Sequence, residues 1–193
     1  MKILFLNASP RAKSYTAAAM RLIKENINNN HTIEWVDVNS LDIKPCVSCL
    51  KCRPNRECIL PHDDGHRIAK MIYNADALVM GSPTYFGNIT GPLKMLFDRC
   101  LTAFEEIAAS GLEMPVPIHT GQKAAIVTAC NIPAPMSSLP TQGAGALSAM
   151  QIAINAGGYE LVGSIMIDGA AALTEMPEEI MKQAKNIAYC LTN

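Results

Sequence analysis

Two rhythms alternate along this chain. Ile3 to Asn7 is a short, continuously apolar run that closes on a polar residue, the pattern of a strand buried on both faces. From Thr16 the apolar positions Ala19, Met20, Ile23 and Ile27 fall at helical spacing, which predicts a helix to about Asn28, stopped by three asparagines. Thr32 to Val38 is β-rich but carries Glu34 and Asp37, as a strand nearer a sheet edge would. Asp63 and Asp64 mark a helix start, with Ile68, Met71 and Ile72 as its apolar stripe. Ala77 to Gly81 is a second buried strand, and Leu93, Leu96, Phe97, Cys100, Leu101 and Phe104 form a continuous helical stripe. Residues 108–122, with Pro115 and Pro117, read as irregular. Lys123 to Cys130 is a strand, 131–142 a proline-rich loop, and Gly143 to Ala156 an Ala-rich helix. Tyr159 to Ile167 is the last strand, and Ile180, Ala184, Ile187, Ala188 and Leu191 mark the last helix.

Five strands alternating with five helices imply an α/β fold, a parallel sheet covered on both faces. Right-handed crossovers with the first strand central fit the order 2-1-3-4-5. Ligands of such sheets bind outside the carboxyl ends of the strands, which here are 7–16, 46–58, 82–88 and 128–142. The unusual residues of the chain lie in those four stretches.

At 193 residues the chain is read as one domain, spanning 1–193, with no repeat or linker. It is long enough to bury roughly 70% of its unfolded surface without cross-links. The charges, 16 basic against 17 acidic, give no electrostatic basis for nucleic-acid or anionic-membrane binding. The opening apolar run is too short for a signal peptide, and no run approaches the ~20 residues of a membrane span. The expectation is a cytoplasmic protein whose thiols stay reduced.

Three of the four stretches carry candidate chemistry. Ser9 to Thr16 joins the first strand to the first helix. Amides at the helix start, the hydroxyls of Ser9, Ser14 and Thr16, and the guanidinium of Arg11 suit a single phosphate, as on FMN. Neither G-x-G-x-x-G nor G-x4-G-K-[ST] is present. Gly81 to Asn88 combines Pro, Gly and two adjacent aromatics, which suits the face and edge of a planar heterocycle. An ordinary capped βα loop and an ordinary packed turn remain the alternatives to each. Cys46, Cys49, Cys52 and Cys58, spaced C-x2-C-x2-C-x5-C, hold four of the seven cysteines within a loop at 45–62. That density fits a metal or iron–sulfur site, a disulfide knot or a redox relay. Four thiolates at this spacing suit one [4Fe–4S] cluster better than zinc, whose usual signature is two separated pairs.

Taken together, Ser9-Pro10-Arg11…Ser14-x-Thr16 and Ser82-Pro-Thr-Tyr-Phe-Gly-Asn88…Gly91-Pro-Leu-Lys94…Phe97-Asp98-Arg99 resemble the NADPH-dependent FMN reductase family. The cysteine stretch, continuing to Asp63-Asp64, is similar to that family's iron–sulfur flavoprotein branch. The resemblance is close over residues 1–102 and covers the remainder only as a strand–helix pattern. It implies a flavodoxin-like three-layer sandwich. It also implies an FMN phosphate held by Ser9, Arg11, Ser14, Thr16 and the Ala17 amide, with the isoalloxazine lined by Pro83, Thr84, Tyr85, Phe86, Gly87 and Asn88. A third loop, Thr128, Ala129, Cys130 and Asn131, would border the flavin, although this chain has Asn131-Ile-Pro-Ala-Pro-Met where a Gly-rich loop is common. The resemblance further implies NAD(P)H as a donor, small molecules or proteins as electron donor and acceptor, and a homodimer or homotetramer.

The leading expectation is an FMN-dependent oxidoreductase passing electrons through a [4Fe–4S] cluster, with no catalytic side chain required. The alternatives are a cluster-free NAD(P)H-dependent FMN or quinone reductase and a non-enzymatic electron carrier or redox sensor. Loops 103–122 and 131–142 are expected to shape the acceptor site. Cys100 and Cys190 read as small core residues, and the methionines, Met71, Met80, Met95 and Met150 among them, as core filler. Cys130 is placed at the flavin edge. His62 and His66 read as solvent-facing beside a helix cap, Asp98-Arg99 as a structural pair, and Trp35 as strand packing.

Overall fold

The computed structural model describes residues 1–53, 55–107 and 114–193. The apolar runs form the strands β1 (Lys2–Asn7), β3 (Ala77–Pro83), β6 (Lys123–Ala129) and β7 (Glu160–Ile167), and the charged run forms β2 (Thr32–Asp37). They pair in parallel in the order β2-β1-β3-β6-β7, which in chain order is 2-1-3-4-5, the flavodoxin-like arrangement. β2 is an edge strand, as its charges require, with Glu34 paired to Lys2 at 3.2 Å.

Side chains of the central strands alternate between two cores. Leu4, Leu6, Leu78, Met80 and Ile126 pack on one side with the helices α2 (Asp64–Tyr73), α3 (Gly91–Arg99) and α4 (Gly143–Gly157). Ile3, Phe5, Val79, Val127 and Ile165 face α1 (Tyr15–Glu25) and α5 (Glu178–Thr192). Each such side chain taken fully out of water stabilises the fold by roughly 1.5–3 kcal/mol. Trp35 stacks on Phe5 at 5.7 Å, the strand packing expected of it. No helix among the described residues is long and apolar enough to cross a membrane.

Two elements depart from the sequence pattern. α1 stops at Glu25 rather than near Asn28, because the Asn26 side chain takes the Leu22 carbonyl at 2.8 Å; Ile27 stays buried all the same. α3 ends at Arg99, and a single 3₁₀ turn, Leu101–Ala103, carries the stripe onward. Phe104 still reaches the core, while Leu101 turns outward. The chain then forms β4 (Glu105–Ile107), paired antiparallel with β5 (Pro115–Pro117), a ribbon where an irregular stretch is expected. Residues 108–113 of that stretch lie outside the described residues.

Candidate functional site

The strands finish in register: Asn7 lies opposite Gly81, Ser82 opposite Thr128, and Pro83 opposite Ala129. The loops that follow β1, β3 and β6 therefore meet at one level. Between them is a cavity of about 450 Å³, within the usual range for small-ligand sites. Ser9, Arg11, Ser14 and Thr16 line one part of it, Pro83 to Gly87 another, and Ala129, Cys130 and Asn131 a third. Pro10, Tyr15, Ile132, Thr141, Gln142 and Ala170 complete the wall; the first five lie within stretches the sequence singled out, and Ala170 does not.

The first part gathers groups that can receive an anion. Ser14 caps α1, its Oγ accepting the Ala17 amide at 3.1 Å. That bond employs the Ala17 N–H, so Ala17 sits behind the cap and does not line the cavity. The Thr16 Oγ1 is shut off from solvent and has no hydrogen-bond partner among the described residues. A buried hydroxyl left in that state costs about 1–3 kcal/mol. Arg11 is exposed and has no carboxylate partner among the described residues. The positive end of the α1 dipole adds to the same field.

The second part is a tight turn. Tyr85 and Asn88 exchange backbone hydrogen bonds at 2.8 and 3.0 Å, and both residues between them have positive φ, Phe86 at 51° and Gly87 at 68°. Phe86 adopts a left-handed conformation at a cost of about 1–2 kcal/mol and projects wholly into solvent. The turn is braced from behind. A Cβ on Gly145 would come within 2.0 Å of the Gly87 carbonyl oxygen and 2.1 Å of that of Pro140. The first turn of α4 and the loop before it, opaque in the sequence, thus lie directly against the aromatic turn. Asn88 closes the turn, with Oδ1 accepting the Ile89 amide, and does not line the cavity. Thr128 is also turned inward: its Oγ1 donates to the Ser82 carbonyl at 2.8 Å and meets Thr84 Oγ1 at 3.1 Å. Cys130 is buried in the cavity wall.

The four clustered cysteines line a separate cavity of about 400 Å³. Cys46 and Cys49 are exposed, and Cys52 and Cys58 are half-buried. Ser48, Leu50 and Arg56 all adopt left-handed backbone, φ 53–58°, an accumulation of strain of the kind found at functional sites. The Ser48 amide donates to the Cys46 Sγ at 3.4 Å. Burial pushes the Cys52 thiol up; its own backbone hydrogen bond opposes this, and the neighbouring Cys58, Cys46 and Cys49 add to it. Among the described residues no three His, Cys, Asp or Glu groups are drawn together as ligands of a single metal ion. A cubane cluster spreads its thiolates around a larger body than one ion does, and four cysteines around one hollow fit that demand.

Beneath this loop lies a buried ionic knot. Asp63 caps α2, accepting the Gly65 amide at 3.0 Å, and His66 Nδ1 accepts the Asp63 amide at 3.2 Å. His66 is therefore buried, not solvent-facing, and its Nε2–H donates to the Cys58 carbonyl at 3.0 Å. Arg99 does not pair with Asp98, which instead takes Lys94 one turn back at 2.5 Å. Arg99 reaches Asp63 Oδ1 at 2.9 Å, with side chains only 1% and 4% exposed. Burial alone would raise the Asp63 carboxyl. The Lys44 amide, the Arg99 cation and the Gly65 amide overcome it and hold the group below the usual carboxylate range. Cys100 is a core thiol as expected, pushed up to about 12 chiefly by burial. Cys190 is half-buried. Met80 and Met150 fill the core, while Met71 and Met95 pack at its margin.

Residues 1–128 match the family described as NADPH-dependent FMN reductase. An iron–sulfur flavoprotein of Archaeoglobus fulgidus is 36% identical over 100 residues, 51% of this chain and 48% of that protein. One of Clostridioides difficile is 26% identical over 199 residues, covering 99% of this chain and 80% of that protein. The chain's match thus spans about half the length of the first of these relatives. Among solved structures, an FMN-dependent NADH-azoreductase from Bacillus anthracis in complex with FMN superposes with a TM-score of 0.71 at 18% identity, covering 99% of this chain and 97% of that one. An NAD(P)H:quinone oxidoreductase from Methanothermobacter marburgensis gives 0.67 at 18% identity, covering 100% and 96%. At such identities these two share the fold.

Proposed function

The chain belongs to the NADPH-dependent FMN reductase family, and from that premise we propose that it is an FMN-dependent oxidoreductase drawing electrons from NAD(P)H or a reduced carrier. The observation that carries the FMN site is the hydroxyl of Thr16, a residue lining the cavity, buried without a partner among the described residues where the α1 N-terminus and Arg11 also meet. A phosphate there would accept from Thr16 Oγ1, from Ser9 and Ser14, from the first α1 amides and from Arg11. Pro83 to Gly87 and Ala129 to Asn131 would flank the isoalloxazine, with Tyr85 and Phe86 offering their faces. Their exposure leaves the outer face open to a small acceptor or a stacked nicotinamide.

Cys46, Cys49, Cys52 and Cys58 would hold a [4Fe–4S] cluster, in keeping with relatives that are named iron–sulfur flavoproteins. When bound, FMN supplies both two-electron and one-electron transfer, and a cluster one-electron transfer alone. The chain's own part is to orient, shield and adjust the charge around both. A homo-oligomer in the cytoplasm completes the proposal.

Anaerobic purification, with FMN, iron and acid-labile sulfide counted per chain and NADPH and NADH oxidation followed, tests the reading. One FMN with iron and sulfide supports it in full. One FMN without iron leaves the cluster-free reductase. A chain that takes up no added FMN overturns it.

A further inference from the structure

The cysteine loop is moored at both ends to one buried group of charges. At its start, the Lys44 amide donates to Asp63 Oδ2 at 3.0 Å, and the Lys44 carbonyl accepts from Arg99 Nη1 at 3.0 Å. At its far end, the Cys58 carbonyl accepts from His66 Nε2. Arg99 Nη2 joins the two moorings through Asp63. Gly65 leaves room for this: a Cβ there would lie 3.0 Å from Asp63 Oδ1 and 3.2 Å from Arg99 Nη2. Arg99 also lines the four-cysteine cavity, and its Nε–H is buried with no partner among the described residues. A buried guanidinium with one donor unspent is costly where it sits.

We propose that Arg99 is a positioning residue for the four-cysteine site: locked by Asp63, it fixes the loop at Lys44 and presents a buried cation and a free Nε–H to the sulfur of a bound cluster. The mooring role stands on the loop alone, and the role toward sulfur rests on the cluster reading. Four thiolates around a cubane carry net negative charge. The only cations lining the hollow among the described residues are Arg53 and Arg99, of which Arg99 is the buried and immobilised one. Lysine could supply the charge at this position but not the three separate donors of the planar fork. Donors outside the ligand set commonly govern affinity by 10–100-fold.

The test uses the full chain, anaerobically reconstituted with ferrous iron and sulfide, as wild type, Arg99→Met, Arg99→Lys and Asp63→Asn. FMN content and the thermal melt report folding, and neither is expected to change enough to lose the protein. Iron loss to a chelator is expected to be about 10–100-fold faster in Arg99→Met and Asp63→Asn. The midpoint potential of the cluster is expected to fall in Arg99→Met and to recover in Arg99→Lys, while Arg99→Lys still loses iron faster than wild type. Amide exchange over residues 42–60 of the cluster-free chain is expected to rise in Arg99→Met. Wild-type iron retention and potential in Arg99→Met overturn the proposal. A wild type that takes up no iron instead overturns the cluster reading. Amide exchange then decides the mooring: an unchanged rate in Arg99→Met rejects it and a raised rate supports it. If Arg99→Met fails to fold, Asp63→Asn decides the same question through iron loss and exchange.

Discussion

Replacing Thr16 by Val should move stability and flavin affinity in opposite directions. The two side chains have nearly the same shape, and both are β-branched, so helix propensity in α1 scarcely changes. What is removed is an Oγ1 that the folded chain buries with no partner among the described residues. The free protein therefore regains about 1–3 kcal/mol of desolvation penalty. For a domain of this size a gain of 1 kcal/mol is a rise of roughly 2–4 °C in Tm. Bound FMN loses one hydrogen bond to a charged phosphate, about 1.5–3 kcal/mol, or roughly 10- to 150-fold in Kd. Calorimetry of the flavin-free protein and a fluorescence titration with FMN measure the two effects. A flavin-free protein destabilised by Thr16→Val, with FMN affinity unchanged, would refute the assignment of this hydroxyl to the phosphate.

Gly145→Ala should be severe: its Cβ meets two carbonyl oxygens near 2 Å, so the aromatic turn must be pushed outward, and FMN affinity should fall at least tenfold in the same titration. Phe86→Asn should stabilise the flavin-free protein by up to about 1 kcal/mol, since Asn tolerates the left-handed backbone, while weakening retention of FMN; a melt and an off-rate measure both. Acidification should release the loop mooring. Because the folded Asp63 carboxyl lies below its unfolded value of about 3.9, its stabilisation is fully present above that value and is lost as pH falls through the depressed one. Amide protection over residues 42–60, measured against the intrinsic exchange rate at each pH, should therefore fall below about pH 4 and stay level from 5 to 7, whereas a fall already at pH 6 would assign the response to another group.

The central sheet was readable because its strands are buried on both faces and so spell continuous apolar runs, as Ile3 to Leu6 and Ala77 to Met80 do. The start of α1 was readable because capping chemistry is local: Ser14 acts within one turn of its own backbone, accepting the Ala17 amide. What resisted reading depends on distant partners. Arg99 stands beside Asp98 in sequence, but Asp98 satisfies its charge with Lys94 on its own helix, and Arg99 crosses to Asp63 on α2. His66 reads as a surface residue until the Cys58 carbonyl is placed above it. The β4–β5 ribbon was hidden because the apolar stripe runs unbroken through Phe104, and because prolines at 115 and 117 are tolerated only on an exposed edge. Thr141 and Gln142 carry no motif at all; they reach the cavity because α4 starts directly behind the aromatic turn.

The most direct test of the flavin site compares FMN with riboflavin, which lacks only the phosphate, by fluorescence titration of the cofactor-free chain. If Ser9, Arg11, Ser14, Thr16 and the α1 amides form the phosphate cradle, FMN binds once per chain. Riboflavin then binds at least about 10²-fold more weakly, the equivalent of two charged hydrogen bonds. Equal affinity for the two, or no binding of either, would contradict the account.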